Sequence, residues 1–253
     1  MAPVARRAGP GARALGALLD LVYPPYCGLC RTPLRDNRWL CPACAASLPR
    51  LVPPFCSRCG EPFDGVHEAP FECPNCRELS FAFAFARPAL RNSPAARALI
   101  HDLKYHRHQQ LAAELGRLAA EVLDDPRLAP ALAGRWPVLP VPLHWRRRQH
   151  RQFNQSAAIA GTFARLAGLP LVAALRRRRS TPTQTRLARR QRLANLRGAF
   201  ELSAAGRRLA RRPPAGAIVF DDVLTTGATT DACARVLRRA GIEMVVVVAV
   251  LRG

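Results

Sequence analysis

Lysine is almost absent from this chain of 253 residues, because Lys104 is the single lysine among 39 lysines and arginines. Aromatic residues make up 6% of the sequence, which argues against a dedicated surface for stacking single-stranded nucleic acid. The longest apolar run, at residues 244–251, is too short to cross a bilayer, so we expect no membrane insertion. An apolar content of 49% is nevertheless sufficient for a folded protein.

Acidic residues are scarce in one part of the chain. Residues 144–212 hold 18 arginines and one acid, a net charge of +17 out of +22 for the whole chain, whereas residues 1–80 carry a net +2. Because like charges at this density repel each other, the basic segment predicts an anionic partner, either a small phosphorylated ligand or DNA, with a solvated face as the alternative. The preference for arginine over lysine also indicates a GC-rich coding bias, which contributes to the excess of positive charge.

Cysteine, in contrast, is abundant and regularly spaced. Eight of the nine cysteines form four Cys-x-x-Cys pairs: Cys27/Cys30, Cys41/Cys44, Cys56/Cys59 and Cys73/Cys76. Two such pairs at short spacing match a tetrahedral Zn²⁺ site with four thiolate ligands, which leaves no open position for catalysis. Because the pattern occurs twice, we predict a duplicated zinc ribbon with two structural zinc sites over residues 26–80.

The sequence permits two arrangements of these pairs. The internal duplication favours sequential sites, while a cross-braced arrangement would combine the first pair with the third. Disulfides and redox dithiols fit less well, because no apolar secretory segment precedes the cysteines, and we expect a cytoplasmic protein. Residues 1–25 are predicted to form a tail with a short amphipathic helix at residues 12–22.

Predicted strands alternate with predicted helices over residues 81–253. The strands are predicted at residues 81–90, 138–141, 171–175, 198–202, 217–220 and 243–251. The helices are predicted at residues 94–105, 109–123, 152–166 and 229–240, with an exposed loop at 176–190. Because the strand interiors are apolar rather than alternating, this α/β pattern predicts a mostly parallel sheet with helices on both faces.

The most informative motif is IVFDDVLTTGATT at residues 218–230. A buried strand ends on Asp221 and Asp222, a loop rich in threonine and glycine follows, and a helix then begins. Open α/β sheets bind ligands at the carboxyl ends of their strands, and such a loop offers hydroxyl and N–H groups to a phosphate. The two acids suit sugar hydroxyls or Mg²⁺. A plain strand–turn–helix corner with capping threonines is the alternative.

This motif resembles the phosphoribosyl pyrophosphate (PRPP) motif of type I phosphoribosyltransferases, and the chain resembles the ComF family over about residues 15–253. Further matching blocks lie at residues 103–105, 140–143, 151–156 and 183–200. In that family, which includes ComFC-type and GntX-type proteins, a zinc ribbon precedes a phosphoribosyltransferase domain. The resemblance implies binding of PRPP with Mg²⁺, release of pyrophosphate, and a link to DNA uptake in natural competence. Single-stranded DNA and competence-machinery proteins would be partners.

The resemblance also implies roles for matching residues. Asp221 and Asp222 would bind the ribose hydroxyls, directly or through Mg²⁺. Arg148 and Arg151 would lie near the pyrophosphate, and residues 176–192 would form a mobile closing loop. The residues that would hold the 5-phosphate are Thr225, Thr226, Gly227, Ala228 and Thr229.

Lys104 is notable by composition alone. A sequence that encodes nearly every cation as arginine keeps one lysine, which indicates either a specific contact with pyrophosphate or nucleic acid or a chance occurrence. We therefore expect the catalytic residues to be Asp221, Asp222, Lys104 and Arg151. Because Thr225 replaces an acid found in relatives that salvage hypoxanthine and guanine, that reaction is not expected. The alternative function is a non-catalytic protein that binds single-stranded DNA, or an adaptor, with a retained PRPP-type site.

Overall fold

The computed structural model describes residues 26–34, 38–65, 71–105, 109–143, 153–179, 196 and 198–253. The predicted N-terminal tail, Arg148, Arg151 and most of the predicted closing loop lie outside these residues. The chain divides into two compact units, Met1–Ser47 and Leu48–Gly253. The larger unit contains the second half of the cysteine-rich segment together with the sheet. The domain boundaries proposed from the sequence pattern stay predictions.

The sheet has four parallel strands. The strands of the structure are β1 (Ala86–Leu90), β2 (Val138–Pro140), β3 (Leu175–Arg177), β4 (Phe200–Leu202), β5 (Gly216–Leu224) and β6 (Met244–Arg252). The order in the main sheet is β1-β6-β5-β2, while β3 and β4 pair antiparallel by themselves. The central strands β5 and β6 are apolar and largely buried, as expected for a parallel sheet covered on both faces. The predicted mostly parallel sheet is thus confirmed.

Helices connect and cover the strands. They are α1 (Pro42–Ser47), α2 (Pro74–Arg77), α3 (Pro94–Tyr105), α4 (Gln109–Ala120), α5 (Ala129–Ala133), α6 (Gln155–Ala167), α7 (Ala204–Leu209) and α8 (Ala228–Arg239). Ser93 caps α3 by accepting a hydrogen bond from the Ala96 N–H at 3.1 Å. Gly168 ends α6 in the left-handed conformation, with a φ of 66°. Both residue types are common at these helix ends.

The two faces of the sheet pack against different helices. Successive residues of a strand point to opposite faces, so Val219 and Phe220 of β5 face different layers. Phe220 packs on Phe163 of α6, with 5.1 Å between ring centroids. Val219 shares a hydrophobic core with Cys233 and Leu237 of α8 and with the four cysteines at 56–76. Helices therefore flank both faces, as predicted.

Several parts of the architecture, among them the helix α5 and the start of β1, differ from the sequence prediction. The strand expected at residues 171–175 lies at Leu175–Arg177, so that two of its three residues fall in the segment predicted to be a loop. Arg176 forms a cross-strand ion pair with Glu201 of β4 at 3.0 Å, so one arginine of the run at residues 176–179 is neutralised within the protein. The short α7 was not predicted, although Ser203 caps it by accepting the Gly206 N–H at 3.0 Å. A helix this short lacks a readable apolar period.

Candidate functional site

The two predicted acids lie at the carboxyl end of β5. Asp221 Oδ1 accepts hydrogen bonds from Ser156 Oγ at 3.1 Å and from the Asp222 N–H at 2.9 Å. Asp222 Oδ1 accepts from the Val223 N–H at 3.0 Å. Asp222 Oδ2 lies 2.7 Å from Lys104 Nζ, at the last turn of α3. The start of α6 and the end of α3 thus bring polar partners to the acid pair.

The paired carboxyls differ in their protonation. Burial raises the pKa of Asp221 well above its ordinary value, and the neighbouring Asp222 carboxylate raises it further. Burial also acts to raise the pKa of Asp222, but the Lys104 ammonium together with hydrogen bonds from Asp221 and the Val223 N–H outweighs this effect and leaves that pKa lowered. These opposite shifts favour a pair that shares one proton and one negative charge. Such a pair can both donate and accept hydrogen bonds with neighbouring hydroxyls of a ligand.

The structure places Lys104 in this site, as its isolation in the composition suggested. Its side chain is 23% exposed and that of Asp222 is 13% exposed, so the ion pair is largely buried but still accessible to solvent. An ammonium group is a compact point charge with three donors, which suits a contact that can move between two anionic partners. Arg151, the other predicted basic catalytic residue, lies outside the described residues.

The segment at residues 225–229, here called the threonine loop, joins β5 to α8. Gly227 has a φ of 78°, and a Cβ on it would lie 3.3 Å from the Phe81 ring. Thr226 Oγ1 accepts a hydrogen bond from the Ala228 N–H at 3.4 Å, and Thr225 is exposed. The loop therefore presents hydroxyl groups at the positive end of the α8 dipole, where an anion is stabilised.

Arg252 supports this loop and was not singled out in the sequence. Its side chain is buried at the end of β6, and Nη1 donates to the carbonyls of Leu224 at 2.8 Å and Thr225 at 2.7 Å. Nη2 contacts the carboxylate of Glu61. One arginine at the end of an otherwise apolar strand is the signal that could have indicated it.

The eight paired cysteines form two clusters of four. The first ribbon holds Cys27, Cys30, Cys41 and Cys44, and the second ribbon holds Cys56, Cys59, Cys73 and Cys76. Within each cluster the sulfurs all lie within 4.8 Å of one another. The distances of 3.7 Å between Cys30 and Cys41 and of 3.8 Å between Cys59 and Cys73 fit a tetrahedron with bonds of about 2.3 Å to zinc. The clusters fit two structural zinc sites with sequential pairing.

Comparison with known proteins now places the chain among relatives. Residues 18–77 match the double zinc ribbon domain. The DNA utilization protein YhgH of Salmonella typhimurium is 31% identical over 223 residues, which cover 87% of this chain and 94% of that protein. YhgH of Escherichia coli strain K12 is 31% identical over 225 residues, with the same coverage. The chain belongs to the ComF family.

A more distant relative supports this membership. Competence protein F of Haemophilus influenzae is 30% identical over 146 residues, covering 57% of this chain and 62% of that protein. The ComF-family protein described here combines the paired cysteine clusters and the parallel sheet that the resemblance implied. Among the residues that the structure describes, no helix has the length and apolar character needed to span a membrane.

Proposed function

We propose that this protein binds PRPP with Mg²⁺ at the carboxyl end of β5 and transfers its phosphoribosyl group to an acceptor. The observation that carries this proposal is the buried Asp221 next to the partly buried Asp222 and Lys104, followed closely by the threonine loop. The acid pair would hold the two ribose hydroxyls, and the loop would hold the 5-phosphate. This position, at the carboxyl ends of parallel strands, is the usual ligand site of open α/β sheets.

The donor set is compatible with magnesium that arrives with its substrate. Two adjacent carboxylates are few for a dedicated site, but Mg²⁺ is commonly held by one or two carboxylates together with substrate oxygens. Asp221 and Asp222 would supply those carboxylates. When bound, the ion would neutralise part of the pyrophosphate charge and orient the ribose.

In the proposed reaction, the bond from C1 of the ribose to the pyrophosphate oxygen breaks. Pyrophosphate leaves with the electron pair, while a lone pair of the acceptor forms the new bond to C1 and the acceptor loses a proton. Lys104 would move its ammonium from Asp222 toward the departing pyrophosphate and stabilise its growing charge. Because the protein does little covalent chemistry here, the rate enhancement would come from positioning and charge neutralisation.

Isothermal calorimetry with PRPP and Mg²⁺ tests this proposal. The wild-type protein should release or absorb binding heat, and the double variant Asp221→Ala/Asp222→Ala should show none. Asp124→Ala, which removes an exposed acid outside the site, is the matched control and should bind as wild type does. Equal binding by wild type and the double variant would overturn the proposal.

A second function, binding of single-stranded DNA in DNA uptake, is favoured by the names of the relatives and by the charge distribution. The relatives are called DNA utilization protein and Competence protein F. Four arginines in and just after α7 are exposed: Arg207, Arg208, Arg211 and Arg212. These side chains offer contacts to a phosphate backbone, and the two functions are compatible in one protein.

The salt dependence of affinity tests this second function. The logarithm of the affinity for a single strand should fall with the logarithm of salt concentration, with a slope of about −0.7 per phosphate contact. Replacing the four arginines by glutamine should make the slope shallower. Affinity that is flat with salt, or a slope that the glutamine variant leaves unchanged, would contradict DNA binding through this surface.

A further inference from the structure

The two ribbons have the same backbone hydrogen bond at their first cysteine, so equivalent positions in the two ribbons can be compared. The Cys27 N–H donates to the Thr32 carbonyl, and the Cys56 N–H donates to the Glu61 carbonyl, both at 2.8 Å. The residues before these acceptors, Arg31 and Gly60, both have positive φ, at 62° and 67°. Thr32 and Glu61 therefore occupy equivalent positions, each directly fixed by the first cysteine of its cluster. The second ribbon carries a carboxylate where the first carries a hydroxyl.

The second ribbon is tightly joined to the sheet. A Cβ on Gly60 would lie only 2.6 Å from Pro88 of β1, so glycine allows the close approach of the two segments. The Arg58 carbonyl accepts a hydrogen bond from the Ala86 N–H at 2.8 Å. All four cysteine side chains belong to the hydrophobic core that contains Val219 and Val247. Movement of this ribbon would thus be transmitted to the strands that carry the site.

A direct connection then runs from the second ribbon to the threonine loop. Glu61 pairs with the buried Arg252, and Arg252 Nη1 donates to the Leu224 and Thr225 carbonyls. Each trans peptide unit is planar, with its C=O and N–H on opposite sides. By holding these two carbonyls, Arg252 therefore directs the N–H groups of Thr225 and Thr226 away from itself, which favours a concave set of donors for an anion.

A second connection reaches the other end of the loop. Arg58 Nη2 donates to the Phe81 carbonyl at 2.9 Å, and the Phe81 ring lies against Gly227. The Ala82 N–H donates to Asp231 Oδ1 of α8 at 2.7 Å. The second ribbon thus supports both sides of the threonine loop through residues that make no zinc contact.

We propose that Glu61 and Arg252 are positioning residues that couple the zinc-bound second ribbon to the threonine loop, so that a correctly folded second ribbon is required for tight anion binding there. The statement that the bound anion is PRPP rests on the proposed function, whereas the coupling of Glu61 and Arg252 to the threonine loop does not depend on it. The first ribbon has Thr32 at the equivalent position, which offers no carboxylate for such an ion pair. The zinc ion of the second ribbon would thereby act on ligand binding without touching the ligand.

The test uses the full chain with Glu61→Ala and Glu61→Gln. The matched controls are Thr32→Ala, at the equivalent position of the first ribbon, and Glu121→Gln, which removes the carboxylate that Arg50 binds at 2.7 Å. Three quantities are measured: zinc content, hydrogen–deuterium exchange of residues 223–230, and calorimetric affinity for PRPP with Mg²⁺. Glu61→Ala should keep both zinc ions, exchange faster in the loop and bind PRPP about 10–100-fold more weakly. Glu61→Gln, which keeps an acceptor for Arg252, should recover part of the affinity.

The outcomes separate the two proposals. Unchanged loop exchange in Glu61→Ala would overturn the coupling, as would equal weakening in Thr32→Ala or Glu121→Gln. If wild-type protein does not bind PRPP, the proposed function fails, and the exchange of residues 223–230 alone decides the coupling. Loss of zinc from Glu61→Ala would show that Glu61 is needed for folding of the second ribbon. In that case the coupling is tested with Arg252→Lys, provided that this variant retains both zinc ions, by the same hydrogen–deuterium exchange of residues 223–230. Faster loop exchange in Arg252→Lys supports the coupling, and unchanged exchange overturns it.

Discussion

The pKa values of two adjacent carboxyls, Asp221 and Asp222, are shifted in opposite directions by their surroundings. Lys104 forms an ion pair with Asp222, whereas Asp221 accepts hydrogen bonds from the Ser156 hydroxyl and the Asp222 N–H. This asymmetry costs stability, because a buried carboxyl without a cation is poorly solvated. At the residue scale, the buried Asp221 carboxyl therefore favours the binding of a cation or of a ligand rich in hydroxyl groups.

Removal of the Lys104 ammonium should weaken PRPP binding. In Lys104→Met the Asp222 carboxylate loses its cation, its pKa rises, and the contact proposed for pyrophosphate is lost. We expect affinity for PRPP with Mg²⁺ to fall about 10–100-fold, the range for a hydrogen bond to a charged group. Calorimetry provides the measurement. Lys104→Arg keeps the charge in a larger planar group and should give an intermediate affinity, and wild-type affinity in the Met variant would contradict the assignment.

Replacement of Asp221 by asparagine should stabilise the protein above neutral pH. Because the folded-state pKa of Asp221 is raised above its unfolded value, the stability contributed by its protonated form is present at low pH and is lost as pH rises through the folded pKa. Asp221→Asn removes this loss. We expect its melting temperature to exceed that of wild type by about 2 °C or more at high pH, and the difference to vanish as pH falls.

Thermal unfolding over a series of pH values is the measurement. Asp124→Asn serves as the control, because Asp124 is exposed and should give no pH-dependent difference. A melting-temperature difference between Asp221→Asn and wild type that stays constant, or turns against the variant, as pH rises would contradict this prediction.

At the scale of elements, the turn between β5 and α8 depends on one glycine. Gly227→Ala should be strained twice, by the left-handed backbone at about 1–2 kcal/mol and by contact with Phe81. Gly168→Ala is a matched control, because Gly168 has a similar φ of 66° but nothing within 4 Å of an added Cβ. We expect the first variant to melt lower and to bind PRPP more weakly, while the second keeps wild-type binding. Equal losses in both variants would show that the Phe81 contact is unimportant.

Some features of these elements were predictable from the sequence, and others were not. The path from β5 through the threonine loop to α8 was predictable, because an apolar strand, two acids and a glycine-rich corner are all local signals. Lys104 was suggested by composition, but its contact with Asp222 depends on how α3 packs against the sheet. Arg252 was missed because two of its partners are backbone carbonyls, which no sequence pattern identifies, and because its side-chain partner Glu61 lies far away in the sequence. The β3 strand was misplaced because its pairing with β4 is non-local.

At the scale of the whole molecule, the two zinc sites should contribute differently to stability. Cys73→Ser should lose one zinc ion and lower the melting temperature of the larger unit by about 10 °C or more, since its cluster is buried in the core of that unit. Cys44→Ser should also lose one zinc ion but leave that unfolding transition nearly unchanged. Zinc content by mass spectrometry and melting by circular dichroism are the measurements. Equal shifts in the two variants would contradict the distinction.

The near-absence of lysine has a practical consequence for experiments on this site. Lys104 supplies the one side-chain primary amine of the chain, and it lies in an ion pair with Asp222. Reductive methylation with ¹³C-formaldehyde would therefore give one side-chain dimethylamine resonance in an NMR spectrum, distinct from that of the α-amino group. Its chemical shift would report directly on whether the ammonium faces the carboxylate or an added pyrophosphate, without any engineered label.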